Sequence, residues 1–160
     1  MTKRTKPAGF TLVEILIVVV ILGILASIVV PQFSSATDQS KAVATASIVR
    51  TVQSKVLENY AMDGEYAATL ETSWFVEGSL PHNPLAPEQR SPIVIYDSSA
   101  AESATHPADK LVTTSGAFWY NPNNGTFRAL VPAQDTEELT LELYNQANST
   151  RLGSLAATSG

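Results

Sequence analysis

The chain has 160 residues, enough for one modest domain plus an anchor, and its 44% apolar content is densest before Pro31. Ten Lys and Arg stand against fifteen Asp and Glu, and the basic residues beyond Lys6 (Lys41, Arg50, Lys55, Arg90, Lys110, Arg128, Arg151) are scattered, which argues against nonspecific nucleic-acid binding. There is no cysteine, so disulfides, thiolate metal sites and cysteine nucleophiles are excluded.

Residues 1–9 form a short, acid-free basic leader carrying Lys3, Arg4 and Lys6. Gly9-Phe10-Thr11-Leu12-Val13-Glu14 follows, and after Glu14 no charged residue occurs until Asp38. Residues 10–30 would make about 31 Å of helix at ~1.5 Å per residue, which matches a hydrocarbon core of about 30 Å. About fifteen of them are Leu, Ile or Val, contributing on the order of −4 to −9 kcal/mol to insertion. Glu14, near the helix end, opposes this by less than about 3 kcal/mol. These residues predict a membrane helix with the leader on the cytoplasmic side and everything after Pro31 exported. A lone carboxylate in such a helix needs a partner or a function. Gly23 and Pro31 weaken the helix locally, and Pro31 predicts a kink. A secretory signal peptide is the rival reading, with Ser34-Ser35-Ala36 as small residues for cleavage. Against it, the apolar run exceeds the usual ~7–15 residues and contains Glu14.

From Ser34 the helix continues as an amphipathic one. Ala42, Ala46, Val49, Val52, Val56 and Tyr60 recur at three- and four-residue steps, with Lys41, Arg50, Lys55 and Glu58 mostly off that stripe. Asp63-Gly64 supplies the stop, so one helix is expected over about 11–62. Residues 67–92 read as an irregular connector holding Pro81, Pro84, Pro87 and Pro92, with Trp74, Phe75, Val76 and Leu80 packing back onto the helix. Strand signals follow at 93–96 and, more weakly, at 110–114. Residues 117–120 and 126–131 flank Asn121-Pro122-Asn123-Asn124-Gly125, a hairpin turn. An antiparallel sheet of three or four strands laid on the helix is the expected result. Asp135 with Glu138 predicts a capping box for a short helix through about residue 147, its inner face being Leu139, Leu143 and Ala147. Residues 148–160 are rich in Ser, Thr, Ala and Gly and read as a flexible tail.

From about Lys6 to Phe33 the pattern closely resembles the N-terminus of type IV pilins and type II secretion pseudopilins. The resemblance implies that a prepilin peptidase cuts between Gly9 and Phe10 and that Phe10 becomes the N-methylated first residue of the mature chain. Glu14 is then the fifth mature residue, and Pro31 and Phe33 fill the places of the family's usual proline and aromatic. It further implies that the Glu14 carboxylate compensates the Phe10 ammonium of a neighbouring subunit and so sets axial register. The alternative for Glu14 is a tolerated interfacial residue of an ordinary anchor. The implied fold is α+β, a long N-terminal helix, membrane-spanning in its first half, packed on a small antiparallel sheet. Residues 116–131 are also similar to the terminal hairpin of many pseudopilin-like proteins. The implied layout is a leader (1–9), a transmembrane and filament-core segment (10–33), an amphipathic helix half (34–62), an exported α+β domain (63–147) and the tail (148–160). The implied role is a structural subunit, without catalysis or cofactor, of a type II secretion pseudopilus or a type IV pilus. Its implied partners are the peptidase, other pilin or pseudopilin subunits, an inner-membrane assembly platform and, before assembly, membrane lipid.

Other residues carry less. His82 and His106 sit in proline-flanked stretches without clustered ligands and read as solvated loop residues. Asn121, Asn123 and Asn124 offer oxygen atoms of the kind calcium takes, but no carboxylate accompanies them. They read as a turn, and the acidic calcium loop of the major type II pseudopilin is not recognisable. Asp97 and Glu102 with Ser98, Ser99 and Ser103 read as a polar surface loop. Asn124-Gly125-Thr126 and Asn148-Ser149-Thr150 match glycosylation sequons, for which chance is the default. A second functional reading is a minor tip pilin whose exported domain grips a ligand or surface through Trp74, Trp119 and Tyr120. A third, a membrane-tethered enzyme, lacks any nucleophile elbow, phosphate loop or paired carboxylates.

Overall fold

The computed structural model describes residues 9–76 and 78–159, with residues 29–36 described by their backbone alone. The chain divides into two units, Met1–Thr37 and Asp38–Gly160. Helix α1 (Leu12–Asp63) contributes to both. Of the expected leader, only Gly9 lies among the described residues.

In the first unit α1 carries apolar side chains on every face, from Leu12 through Ile28. Phe10, just ahead of the helix, is 84% exposed. A helix apolar all round has no side suited to water. Among the described residues, no helix is long and apolar enough to cross a membrane. The described side chains of this run end at Ile28, whereas the sequence run continues through Val29 and Val30. The backbone of α1 is helical across Pro31. The side chains of Pro31 and Phe33 lie outside the described residues.

The second unit is built on the rest of α1. Ala42, Ala46, Val49, Val52 and Val56 are buried, as their spacing requires. Tyr60 is not: it is 40% exposed, and its ring stacks on Tyr66 at 4.3 Å. The helix ends as expected, with Gly64 at φ +78° and its N–H donating to Tyr60 O (2.8 Å).

Three strands form one sheet in the order β1 (Val94–Tyr96), β2 (Phe118–Asn121), β3 (Thr126–Ala129). β2 and β3 are the expected antiparallel hairpin, with Phe118 opposite Ala129 and Asn121 opposite Thr126. β1 and β2 pair in parallel, Val94 with Phe118 and Tyr96 with Tyr120, so the sheet is mixed rather than antiparallel. The reason is the connection. Residues 97–117 form an excursion long enough to carry the chain back before β2 begins, which parallel pairing requires. Within it, residues 110–114 make no strand. They contribute only isolated bridges, Leu111 with Val131 and Thr113 with Gly116.

Helix α2 (Glu137–Asn148) is capped by Thr136, whose hydroxyl accepts from Leu139 N (3.2 Å), and not by the expected Asp135. Leu143 and Ala147 of the expected inner face are buried. Thr140, Tyr144 and Asn148 share that face, while Leu139, expected on it, is 48% exposed. Asn148 covers the free edge of β3: its Oδ1 accepts from Ala129 N (2.8 Å) and its Nδ2 donates to Ala129 O (2.9 Å). A side chain thus substitutes for a fourth strand. Buried in this way, it is no acceptor for a glycan.

The expected flexible tail is held down. Leu152 is buried, and Thr158 O accepts from Thr105 N (2.9 Å) and His106 N (3.0 Å). The Lys110 ammonium, buried itself, donates to Pro107 O (2.9 Å), Leu155 O (2.7 Å) and Ala157 O (2.7 Å). Carbonyl oxygens compensate the buried charge, and Lys110 lies 5.5 Å from the centre of the Tyr144 ring.

Two apolar clusters result. Val49, Val52 and Val56 meet Leu70, Phe118, Tyr120 and Phe127, while Ala42 and Leu85 meet Val131, Leu143, Tyr144 and Leu152. Between helix, connector and sheet sits Asn83, 1% exposed. Its Nδ2 donates to Ala117 O and Leu130 O (both 2.9 Å), and its Oδ1 accepts from Leu85 N (3.0 Å) and Thr45 Oγ1 (3.3 Å). Ser91 Oγ also accepts from Asn83 N.

Candidate functional site at the N-terminus

Gly9 and Phe10 precede the helix in exposed, non-helical backbone. Thr11 is the residue on which α1 starts. Its N–H and its hydroxyl both donate to Glu14 Oε2 at 2.8 Å, and its Oγ1 accepts from Glu14 N at 3.2 Å. This is a reciprocal capping box. It satisfies helix-end N–H groups that have no partner inside the helix, and it holds the carboxylate at the positive end of the helix dipole. Among the described residues, Glu14 Oε1 has no hydrogen-bond partner. One carboxylate oxygen is thus fixed by its own chain and the other faces outward, one turn behind the Gly9–Phe10 bond.

Sequence reasoning weighed Glu14 as a charge and overlooked Thr11. The signal was present, since Thr-x-x-Glu ahead of an apolar run is a helix-start signature. Pro31, the fourth residue singled out in the sequence, is not brought near the other three by any described contact.

The remaining candidates resolve differently. Trp119 and Tyr120 are buried, and burial pushes the Tyr120 hydroxyl up to about 12. Its hydroxyl donates to Ala67 O at 2.9 Å. Neither is a contact surface, and Trp74 is half-buried against the helix cluster. His82 is exposed, as a solvated loop residue should be. His106 is not: it is 4% exposed, with Nδ1 3.0 Å from the Tyr144 hydroxyl. Burial first, and the nearby Arg128 and Lys110 charges next, push its pKa down to about 4, so it is neutral at neutral pH. Among the described residues, no group of His, Cys, Asp or Glu is arranged to hold a metal.

The hairpin turn is an organising point instead. Gln53 of α1 donates to Gly125 O (2.8 Å) and accepts from Phe127 N (2.9 Å), fixing the hairpin on the helix. Gly125 lies at φ +69°, directly against the Tyr66 ring. The three asparagines grip the 98–104 segment. Asn121 Nδ2 donates to Ala101 O and Ala104 O, Asn123 Nδ2 to Ser98 O and Ala100 O, and Asn124 Nδ2 to Glu102 O and Ala104 O, all at 2.8–3.1 Å. Asp97, just ahead of that segment, accepts from Ser99 Oγ (2.8 Å) and Trp119 Nε1 (3.3 Å).

Comparison with known proteins bears on the same N-terminal residues. Residues 4–30 match the family described as the prokaryotic N-terminal methylation motif. The type II secretion system core protein G of Pseudomonas aeruginosa is 44% identical over 61 residues, 38% of this chain and 42% of that protein. The protein of the same name from Aeromonas hydrophila is 37% identical over 94 residues, 57% of this chain and 61% of the relative. The type IV narrow pilus major component of Thermus thermophilus is 46% identical over 59 residues, 31% of this chain and 51% of the relative. The chain thus spans about half the length of the curated relatives it matches. No solved structure matches it significantly.

Proposed function

We propose, from the match of residues 4–30 to the prokaryotic N-terminal methylation motif and the likeness to type II secretion core proteins and a type IV pilus component, that this chain is a structural subunit of a secretion pseudopilus or a type IV pilus. It performs no chemistry of its own. A prepilin peptidase removes residues 1–9, and the amine of Phe10 is methylated. The apolar segment anchors the subunit in the inner membrane with the domain exported. With help from an assembly platform, it then moves into the core of a filament of like subunits. Pro31 supplies a bend in that core segment.

The observation that carries this reading is the Thr11–Glu14 box, set one turn behind the Gly9–Phe10 bond. After cleavage the Phe10 ammonium is the first cation of the mature chain. A carboxylate in an apolar bundle is costly unless paired. Glu14 presents Oε1 for such a pairing with the ammonium of a neighbouring copy, while Thr11 holds Oε2. The pseudopilus is the favoured filament because two of the relatives above are type II secretion core proteins. The tip-pilin reading is not favoured, because Trp119 and Tyr120 are buried.

Mass analysis of the membrane-extracted protein from its native host, with the prepilin peptidase present or deleted, tests the proposal. A peptidase-dependent chain beginning at methylated Phe10 supports it. A chain beginning after Ala36, or an uncut chain in both backgrounds, overturns it.

A further inference from the structure

The resemblance to major type II pseudopilins raises calcium, which those proteins hold through an acidic loop. The donor set here does not fit that ion. Calcium takes about 6–8 oxygen ligands, carboxylates prominent among them. Five backbone carbonyls do converge beside the hairpin turn: those of Ser98, Ala100, Ala101, Glu102 and Ala104. Each already accepts a hydrogen bond from a carboxamide N–H. The orientation of two of the carboxamides is fixed independently. Asn121 Oδ1 accepts from Asn123 N (3.0 Å), and Asn124 Oδ1 accepts from Thr126 N (2.9 Å). Turning either amide over would set an NH2 group against an N–H, so the nitrogens must face the carbonyls. Of the two acids there, Asp97 already accepts from Ser99 and Trp119, Glu102 is exposed, and among the described residues no third His, Cys, Asp or Glu joins them in an arrangement that could hold a metal.

We infer that the three carboxamides occupy the place a cation would need, so that the 98–104 segment is closed by nitrogen donors and the domain keeps its fold without calcium. Each Nδ2 bridges two of these carbonyls, so the bridging position a cation would take is filled by an NH2 group. The inference rests on hydrogen-bond geometry alone and stands apart from the filament reading.

The test uses the full chain in detergent micelles. Its thermal midpoint and its calcium uptake by equilibrium dialysis are measured in EDTA and in calcium chloride. The expected results are coincident midpoints and no stoichiometric uptake. A midpoint that falls in EDTA, or one bound calcium per chain, overturns the inference. In parallel, hydrogen exchange of the 98–106 segment is followed by mass spectrometry. In Asn123→Ser, which loses two carbonyl contacts at an exposed site, exchange there rises about tenfold or more while exchange in β2 and β3 is unchanged. Unchanged exchange in the segment would mean that the carboxamides do not hold it, and that too overturns the inference.

Discussion

Asn83 offers the sharpest quantitative test of how this domain is held together. Replacing it with leucine keeps approximate volume and removes every side-chain hydrogen bond. The consequences differ among its four partners. Ala117 O still accepts from Leu130 N (2.9 Å), and Thr45 Oγ1 still donates to Lys41 O (2.8 Å). Leu130 O and Leu85 N lose the only partners they have among the described contacts. An orphaned buried backbone group costs about 1–3 kcal/mol. Two of them, with a hydrophobic gain from leucine of about 1 kcal/mol at most in a site shaped for an amide, give a net loss centred on about 3 kcal/mol. For a domain of this size that lowers the thermal midpoint by about 10–15 °C. The assay is thermal unfolding of the full chain in detergent, followed by near-ultraviolet circular dichroism. Thr45→Val is the internal comparison, because it removes the hydroxyl outright and leaves Asn83 Oδ1 its bond from Leu85 N and Lys41 O its place in the helix ladder. It should cost less than about 1 kcal/mol. If Asn83→Leu is no worse than Thr45→Val, then Asn83 is not what pins the connector to helix and sheet, and the reasoning fails.

Other expectations follow from particular contacts. Glu14→Ala should leave cleavage and membrane insertion largely intact and abolish filament incorporation, read from sheared-filament yield; wild-type yield would refute the pairing role. Thr11→Val, which removes the hydroxyl but keeps the bulk, should lower that yield less than Glu14→Ala does. Gly125→Ala forces a left-handed backbone on alanine and drives its Cβ into the Tyr66 ring, a loss of about 2 kcal/mol or more. Tyr66→Ala in the same chain should recover the clash but not the backbone strain, as a double-mutant cycle in denaturant would report. The folded-state pKa of His106 is depressed from 6.5 to about 4, so the unfolded chain binds more protons between those values. Stability is therefore full above about pH 6.5 and declines by on the order of 1–2 kcal/mol as the pH falls toward 4, and His106→Gln should flatten that slope. Lys110→Met removes three carbonyl contacts and should expose the C-terminal segment to carboxypeptidase digestion while the rest of the domain stays folded.

The parts legible in the sequence are those governed by local rules. The apolar run, its basic leader and the lone Glu14 are one-dimensional signals, as is the three- and four-residue stripe that α1 buries. Asp63-Gly64 stopped the helix, and Asn-Gly between aromatic and β-branched runs made the hairpin, because left-handed backbone and strand alternation depend on neighbours in the chain. The Thr11–Glu14 box was legible too, and was missed only because the carboxylate was weighed as a charge and not as a cap.

What only the tertiary structure decided are the contacts between residues far apart in sequence. Parallel pairing of β1 with β2 depended on where residues 97–117 travel, and no local pattern encodes that path. The cap of α2 fell on Thr136 and not on Asp135, and packing against β3 and the tail buried Tyr144 beside Leu143 and Ala147 while leaving Leu139 outside. His106 and Lys110 look like surface residues by type. Both are buried because a Ser- and Ala-rich tail, apolar at only a few positions, folds over them and supplies carbonyl oxygens. Asn83 and the three turn asparagines look like loop residues by composition, yet they link helix, connector, hairpin and outer segment. By itself the sequence determined an apolar N-terminal helix with its processing signature and an amphipathic continuation, since periodicity and charge act along the chain. The tertiary structure decided the sheet's mixed topology, the docked tail and the polar joints, since buried amides and ammonium groups are satisfied only by whatever the fold brings to them.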